Sequence, residues 1–167
     1  MSVTAAIAAN EQAIGEAAGN ARVVFRTEGA LEGPTYVRLV SRQHTIEVDE
    51  PDVLAGGNAH ANPVEYALAS LASCQAITYR FWAAKLGIQL DGLEIAVEGD
   101  LDLHGFFGLD TEVRPGFTGI RVDVTPLGPE SLERYGELAD AVDAHCPVLD
   151  LFTNATPVER RLAVSAA

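Results

Sequence analysis

The stretch that decides the fold runs Asn62-Pro-Val-Glu-Tyr-Ala-Leu-Ala-Ser-Leu-Ala-Ser-Cys74. Asparagine is a preferred helix N-cap and proline is favoured at the first helical position, so the sequence predicts a helix that begins at Pro63. Small and apolar residues continue to Leu86, and Gly87 is a typical residue for the C-terminal cap. Because little polar surface precedes Arg80, we expect this long helix to be enclosed on most sides.

Strand patterns flank the long helix on both sides. Alternating or β-branched segments predict an antiparallel meander before the helix, over residues 22–27, 36–40 and 45–48. After it, the same patterns predict a hairpin over 93–103 and 119–125 and a last strand over 158–164. A short helix over 4–18 and an amphipathic helix over 129–145 complete the order. This order predicts an α+β fold with antiparallel sheets packed around two main helices.

Length and charge limit the possible functions. A chain of 167 residues with 48% hydrophobic residues can bury one substantial core, so we predict an N-terminal helical extension over 1–20 and a single main domain over 21–167. A net charge of −13 argues against nucleic acid and anionic membrane surfaces as partners. No basic leader and no membrane-length apolar run is visible, so we expect a cytoplasmic protein.

The chain has two cysteines, in two different contexts. Cys74 lies in the long apolar helix, and Cys146 lies in Ala-His-Cys-Pro-Val, where Pro147 disfavours helical angles for the residue before it. We therefore expect the Cys146 thiol at a helix C-terminus. The pair indicates either two-thiol redox chemistry or two inert small hydrophobes. In the cytoplasm a disulfide between them would be transient and catalytic.

These residues resemble a known family. The Asn62–Cys74 segment, preceded by His-Thr-Ile-Glu-Val-Asp-Glu-Pro and by Gly56-Gly57, is similar to the first-cysteine region of the OsmC/Ohr family, and His-Cys-Pro-Val is similar to its second-cysteine motif. Gly-Phe-Phe-Gly-Leu-Asp, which begins at Gly105, resembles a loop of some OsmC-like members. The resemblance extends over about residues 20 to 165.

The resemblance implies an OsmC-like fold and a thiol-dependent peroxidase that reduces organic hydroperoxides in oxidative stress defence. By the same resemblance Cys74 is the peroxidatic thiol and Cys146 the resolving thiol, which forms a disulfide with it. An external dithiol then reduces this disulfide. The family also implies an intertwined homodimer, and neither a metal nor an organic cofactor is required.

An activating cation is needed because burial raises a thiol pKa and leaves little thiolate at neutral pH. In the family an arginine from an early strand or loop provides it, oriented by a glutamate near the start of the long helix. Glu65 matches that glutamate, although nine residues of helix place it on the face opposite Cys74. Arg26, Arg38 and Arg42 compete for the arginine. We favour Arg38 because it is central in a predicted strand among apolar residues.

Three aromatic residues suggest where substrate binds. Phe106, Phe107 and Phe117 lie in the glycine-rich segment between the two long strands. If this segment covers the Cys74 pocket, its apolar surface favours bulky organic hydroperoxides over hydrogen peroxide. The alternative is that the three rings cap the core.

Other classes of function remain open from the sequence. The principal alternative is an OsmC-like dimer that binds a small apolar ligand and has no significant peroxidase activity. A zinc site could recruit the two cysteines with His60, His104 or His145, but no CxxC or HxxxH spacing is present. A Cys-His hydrolase is conceivable, yet nothing in the sequence orders a base for Cys74.

Overall fold

The computed structural model describes residues 1–164 and contains five α-helices and five strands in that range. The helices are α1 (Val3–Glu16), α2 (Pro63–Leu86), α3 (Leu103–Phe106), α4 (Leu132–Asp143) and α5 (Pro147–Thr153). The strands are β1 (Glu28–Leu31), β2 (Val37–Ser41), β3 (His44–Val48), β4 (Gly92–Leu101) and β5 (Phe117–Leu127). The predicted α+β fold with antiparallel sheets is confirmed.

The ends of α2 follow the predicted capping rules. The Asn62 side chain accepts a hydrogen bond from the Glu65 N–H at 2.9 Å, and the Glu65 carboxylate accepts one from the Asn62 N–H at 2.8 Å. This reciprocal capping box satisfies two N–H groups that a helix start would otherwise leave unpaired. At the other end Gly87 adopts φ of 64°, the left-handed conformation that glycine tolerates best.

Two antiparallel sheets accompany α2. One is the meander β1-β2-β3, in which Leu39 pairs with Ile46, and the other is the hairpin β4-β5. The main core lies between the C-terminal half of α2, the following turn and α4, and its fully buried members include Leu138 and Val142. The hairpin covers this core through Leu93 and Val124.

A buried carboxylate organises the loop that leads into α2. Asp49, only 4% exposed, accepts hydrogen bonds from the Thr35 hydroxyl and from the N–H groups of Glu50, Gly57 and Ala59. Four donors therefore replace the water that the charge loses on burial. The loop folds back so tightly that a Cβ at Gly56 would lie 1.7 Å from the Glu50 carbonyl oxygen, so this position requires glycine.

Both terminal strand predictions are wrong for the single chain. Residues 22–27 form no strand, and β1 begins only at Glu28. Residues 158–164 also form no strand. The physical reason is that neither segment is covered within residues 1–164, where β2 ends at Ser41: Phe25 is 86% exposed and Leu162 is 86% exposed.

Two expectations about helices need correction. The long helix is enclosed on one face only, because Ile77 and Phe81 are exposed in the single chain while Leu71 and Tyr79 are buried. The sequence predicts Cys146 at a helix C-terminus, but it is the N-cap residue of the next helix, because α5 begins directly after it with Pro147 at its first position. None of the helices described in residues 1–164 combines the length and apolarity needed to cross a membrane.

Candidate active site

The structure brings the two thiols together. Cys74 lies midway along α2 and is half-buried, whereas Cys146 is 2% exposed at the junction of α4 and α5. The Cys146 side chain raises the pKa of the Cys74 thiol, an influence that acts only at short range, and α5, which begins after Cys146, packs on α2, so the two thiols are neighbours. Two cysteines distant in sequence therefore form one site at the contact of α2 with α5.

The environment of Cys74 contains opposing influences. Burial is the largest and raises the pKa of the Cys74 thiol, and the neighbouring Cys146 raises this pKa further. The backbone N–H of Val148 and the hydroxyl of Thr78 favour the thiolate and oppose that rise. Burial prevails, so the pKa of Cys74 stays above its ordinary value in the single chain.

The α4–α5 junction is held by local contacts. At this junction Nδ1 of the His145 ring lies 2.8 Å from the Ala141 carbonyl oxygen. At the opposite end of α4, Ser131 caps the helix by accepting a hydrogen bond from the Arg134 N–H at 3.2 Å. The His145 ring stacks on Trp82 of α2, with centroids 4.1 Å apart. His145 thus lies at the C-terminal end of α4, and its stacking anchors this junction to α2.

The two predicted activating residues lie elsewhere in the same chain. Glu65 belongs to the capping box at the start of α2, about 13 to 14 Å along the helix axis from the level of Cys74. Arg38 lies on the outward face of β2 and pairs with Glu32 at 3.3 Å and with Glu47 at 3.9 Å. The prediction that Arg38 lies among apolar residues is therefore wrong: its side chain lies among carboxylates. Neither residue affects the Cys74 thiol within one chain.

The three aromatic residues do not act as one group. Phe106 and Phe107 pack edge to face with centroids 5.0 Å apart, and they line a cavity of about 520 Å³ together with Val53 and Pro63. This cavity lies at the N-terminal end of α2 and does not include Cys74. Phe117 instead covers Gly99 on the neighbouring strand, where a Cβ would lie 2.6 Å from its ring. For Phe117 the alternative interpretation as a packing residue is the one observed.

Sequence reasoning missed three residues near the thiols. Val148 contributes a backbone N–H, which no side-chain pattern reveals, although Pro147 was a signal for a helix start. Thr78 and Gln75 were hidden in an apolar helix pattern, but a polar residue in such a helix is itself a signal of a buried polar contact.

Within residues 1–164, no group of three or more histidine, cysteine, aspartate or glutamate side chains is arranged to hold a metal ion.

The fold and the paired thiols define a class of α+β proteins with a cysteine in a central helix and a second cysteine beside it. Residues 56–161 match the family model of the OsmC-like proteins, and the chain belongs to this family. The comparison with curated proteins found no match.

Solved structures show the same fold at low sequence identity. The OsmC-like protein of Mycoplasma pneumoniae is 21% identical, with a TM-score of 0.69 over 78% of this chain and 87% of that one. An organic hydroperoxide resistance protein OsmC from Legionella pneumophila is 18% identical, with a TM-score of 0.62 over 80% and 91%. The organic hydroperoxide resistance protein OhrB of Bacillus subtilis is 19% identical, with a TM-score of 0.56 over 78% and 91%.

Proposed function

We propose that this protein is a thiol-dependent peroxidase that reduces organic hydroperoxides. The observation that carries the proposal is the proximity of Cys74 and Cys146, the chain's two cysteines, at the contact of α2 with α5. Similarity to proteins named for organic hydroperoxide resistance supports it. A reducing compartment such as the cytoplasm suits two free thiols.

The proposed reaction has three balanced steps. The Cys74 thiolate attacks the distal oxygen of the hydroperoxide, so an S–O bond forms, the O–O bond breaks, and the alcohol leaves with a proton. The Cys146 sulfur then attacks the Cys74 sulfenic acid, so the S–S bond forms and water leaves. An external dithiol finally reduces this disulfide and is itself oxidised.

Activation of Cys74 needs a cation, and none within residues 1–164 of the same chain acts on its thiol. The exposed face of α2 and the exposed segments 22–27 and 158–164 favour a homodimer in which a second copy completes the site. In such a dimer Glu65 and one of Arg26, Arg38 and Arg42 would approach the partner's Cys74 and lower its pKa. The Phe106–Phe107 cavity would then lie over the partner's thiols and accept the apolar part of the hydroperoxide.

Single-turnover kinetics of two serine variants test the division of roles. Cys74→Ser should abolish consumption of cumene hydroperoxide, because the nucleophile is missing. Cys146→Ser should consume about one equivalent per chain and then stop, because no second thiol captures the sulfenic acid. Mass spectrometry should find sulfenic and sulfinic acid on Cys74 of this second variant.

Two results of these experiments would contradict the proposal. If Cys146→Ser loses the first turnover as completely as Cys74→Ser does, Cys146 is not a resolving thiol. If the wild-type protein with excess dithiothreitol consumes cumene hydroperoxide no faster than the double variant Cys74→Ser/Cys146→Ser, the protein is not a peroxidase.

A second candidate function, binding of a small apolar ligand, is favoured by one further cavity. A space of about 410 Å³ lies between the inner face of the meander and α2, lined by the apolar side chains of Val37, Leu39, Ile46 and Val48. An apolar fluorescent probe should bind there in the double cysteine variant as well as in the wild type. Such binding, together with absent peroxide consumption, would favour this function over the peroxidase.

A further inference from the structure

A separate cavity lies beside the thiols, on the side of α2 that faces β5 and α4. Its volume is about 370 Å³, near the lower end of the range for small-molecule sites. Apolar walls come from Val122 and Val124 of β5 and from Leu149 of α5. The polar lining comes from Gln75, Tyr79 and Asp143, and neither cysteine lines the cavity.

Two buried side chains in this cavity have spare hydrogen-bonding capacity. Gln75 is 3% exposed, and its amide nitrogen donates to Asp143 Oδ1 at 3.3 Å, but its Oε1 has no hydrogen-bond partner within residues 1–164. Tyr79 is also 3% exposed, and its hydroxyl has no partner in the same range. No fully buried side-chain nitrogen or oxygen in the described chain lacks a partner. The Gln75 Oε1 and the Tyr79 hydroxyl oxygen are therefore not fully buried. Both side chains line this cavity, so we infer that the two oxygens face it.

The charge around the cavity has one sign. Burial raises the pKa of Tyr79, and the carboxylates of Asp143 and Asp140 raise this pKa further, so the phenol stays protonated at neutral pH. No lysine, arginine or histidine lines the cavity. Other carboxylates have firm partners: Asp49 has four donors, and Asp100 and Glu98 share Arg121.

We propose that this cavity binds a small organic cation of the alkylammonium class. An ammonium group has three N–H donors and no acceptor, which matches the Asp143 carboxylate, the Gln75 carbonyl and the Tyr79 hydroxyl oxygen. A short branched alkyl body then lies against Val122, Val124 and Leu149. Because the cavity is small, it selects short chains and excludes long-chain amines.

A titration followed by ¹H–¹⁵N correlation spectra tests this site in the reduced wild-type protein. With 3-methylbutylammonium chloride we expect saturable shifts of the Val122 and Val124 amides. The neutral alcohol 3-methylbutan-1-ol has the same carbon skeleton and should bind about threefold to fivefold more weakly, because it lacks the charge that the exposed Asp143 carboxylate pairs with. Since no peroxide is present, the result is independent of the proposed peroxidase.

Matched variants locate the binding. Asp143 is exposed at the mouth of the cavity, so Asp143→Asn should weaken binding about threefold to fivefold, whereas Asp140→Asn, which removes the same charge one position away from the cavity lining, should change it less than about twofold. Tyr79→Phe removes only one hydroxyl and should weaken binding severalfold, which keeps the test decisive if Asp143→Asn is unstable. Equal affinity for amine and alcohol, equal losses in the two aspartate variants, or no saturable shift would each overturn the proposal.

Discussion

At the scale of single residues, Asp49 connects loop structure to acid stability. Its four donors lower the pKa of this carboxyl from 3.8 to about 2, with the Thr35 hydroxyl contributing most and the N–H of Glu50 next. A carboxyl whose folded-state pKa is depressed stabilises the fold above its unfolded-state pKa. This stabilisation is lost as the pH falls through the folded-state value.

We expect the free energy of unfolding of the wild type to decrease as the pH falls from 3.8 to about 2. Asp49→Asn should be less stable at neutral pH and should lose this part of the pH dependence, because an amide does not titrate. Urea unfolding at a series of pH values measures both effects. Asp52→Asn, in the same loop, is the control and should retain the wild-type slope; a wild-type slope in Asp49→Asn would contradict the assignment.

The pKa of Cys74 is the second quantity set by individual neighbours. Cys146→Ala should lower the pKa of the Cys74 thiol, because it removes a neighbour that favours the neutral form. Thr78→Val should raise the pKa of Cys74, because it removes a hydroxyl that favours the thiolate while conserving shape. The pH dependence of thiolate absorbance measures the two shifts, and a shift opposite to the expected direction in either variant would contradict the assignment for that neighbour.

At the scale of elements, Glu65 has two roles to separate. As part of the capping box it stabilises the start of α2, and in the proposed dimer it would orient the activating arginine. Asn62→Ala should destabilise the protein by about 1 kcal/mol. Glu65→Gln retains an oxygen that can accept the Asn62 N–H, so its stability should stay close to that of the wild type.

The peroxidase rate of Glu65→Gln then decides between the roles. If Glu65 orients an arginine, the rate with cumene hydroperoxide should decrease by an order of magnitude or more while thermal stability is conserved. An unchanged rate would leave Glu65 as a helix-capping residue alone.

The elements that the sequence predicted correctly are those fixed by local chemistry. Asn62, Pro63 and Gly87 specify the ends of α2 through their own side chains and backbone angles, so the pattern sufficed. The α4–α5 junction was missed because a proline both ends one helix and begins the next. The outward direction of Arg38 depends on the register of β2 against β3, where it pairs with Glu47, and alternation alone did not decide which face was inside.

At the scale of the whole molecule, one chain exposes more surface than a compact monomer should. Its accessible surface is 12091 Å², whereas a compact monomer of 17.7 kDa exposes about 8,000 Å². The extended segments and one face of α2 contribute to this surface: Val24 and Val158 in the extended segments are each more than 90% exposed, and Ile77 of α2 is 60% exposed. These surfaces support the intertwined homodimer that the resemblance implies.

Sedimentation equilibrium should therefore give a dimer at micromolar concentration. Ile77→Asp introduces a charge on the exposed apolar face of α2, and we expect it to shift the protein toward monomers or unfolded chains, because the charge would be buried without a partner. Leu132→Asp is the control, since Leu132 is 89% exposed at the start of α4, outside these surfaces. A monomeric wild type, or equal effects of both variants, would contradict the homodimer.

The stacking of His145 on Trp82 has a practical consequence, because Trp82 is the chain's only tryptophan. Its indole ring has two close neighbours, the Lys85 ammonium 5.0 Å from its centroid and the imidazole of His145, whose centroid lies 4.1 Å away. Because His145 directly precedes Cys146, we expect a disulfide at Cys146 to displace the imidazole and so to change the indole emission. If emission changes in this way, stopped-flow fluorescence should follow both the oxidation and the reduction steps of the proposed reaction without an added label; constant emission on oxidation would show that the imidazole does not move.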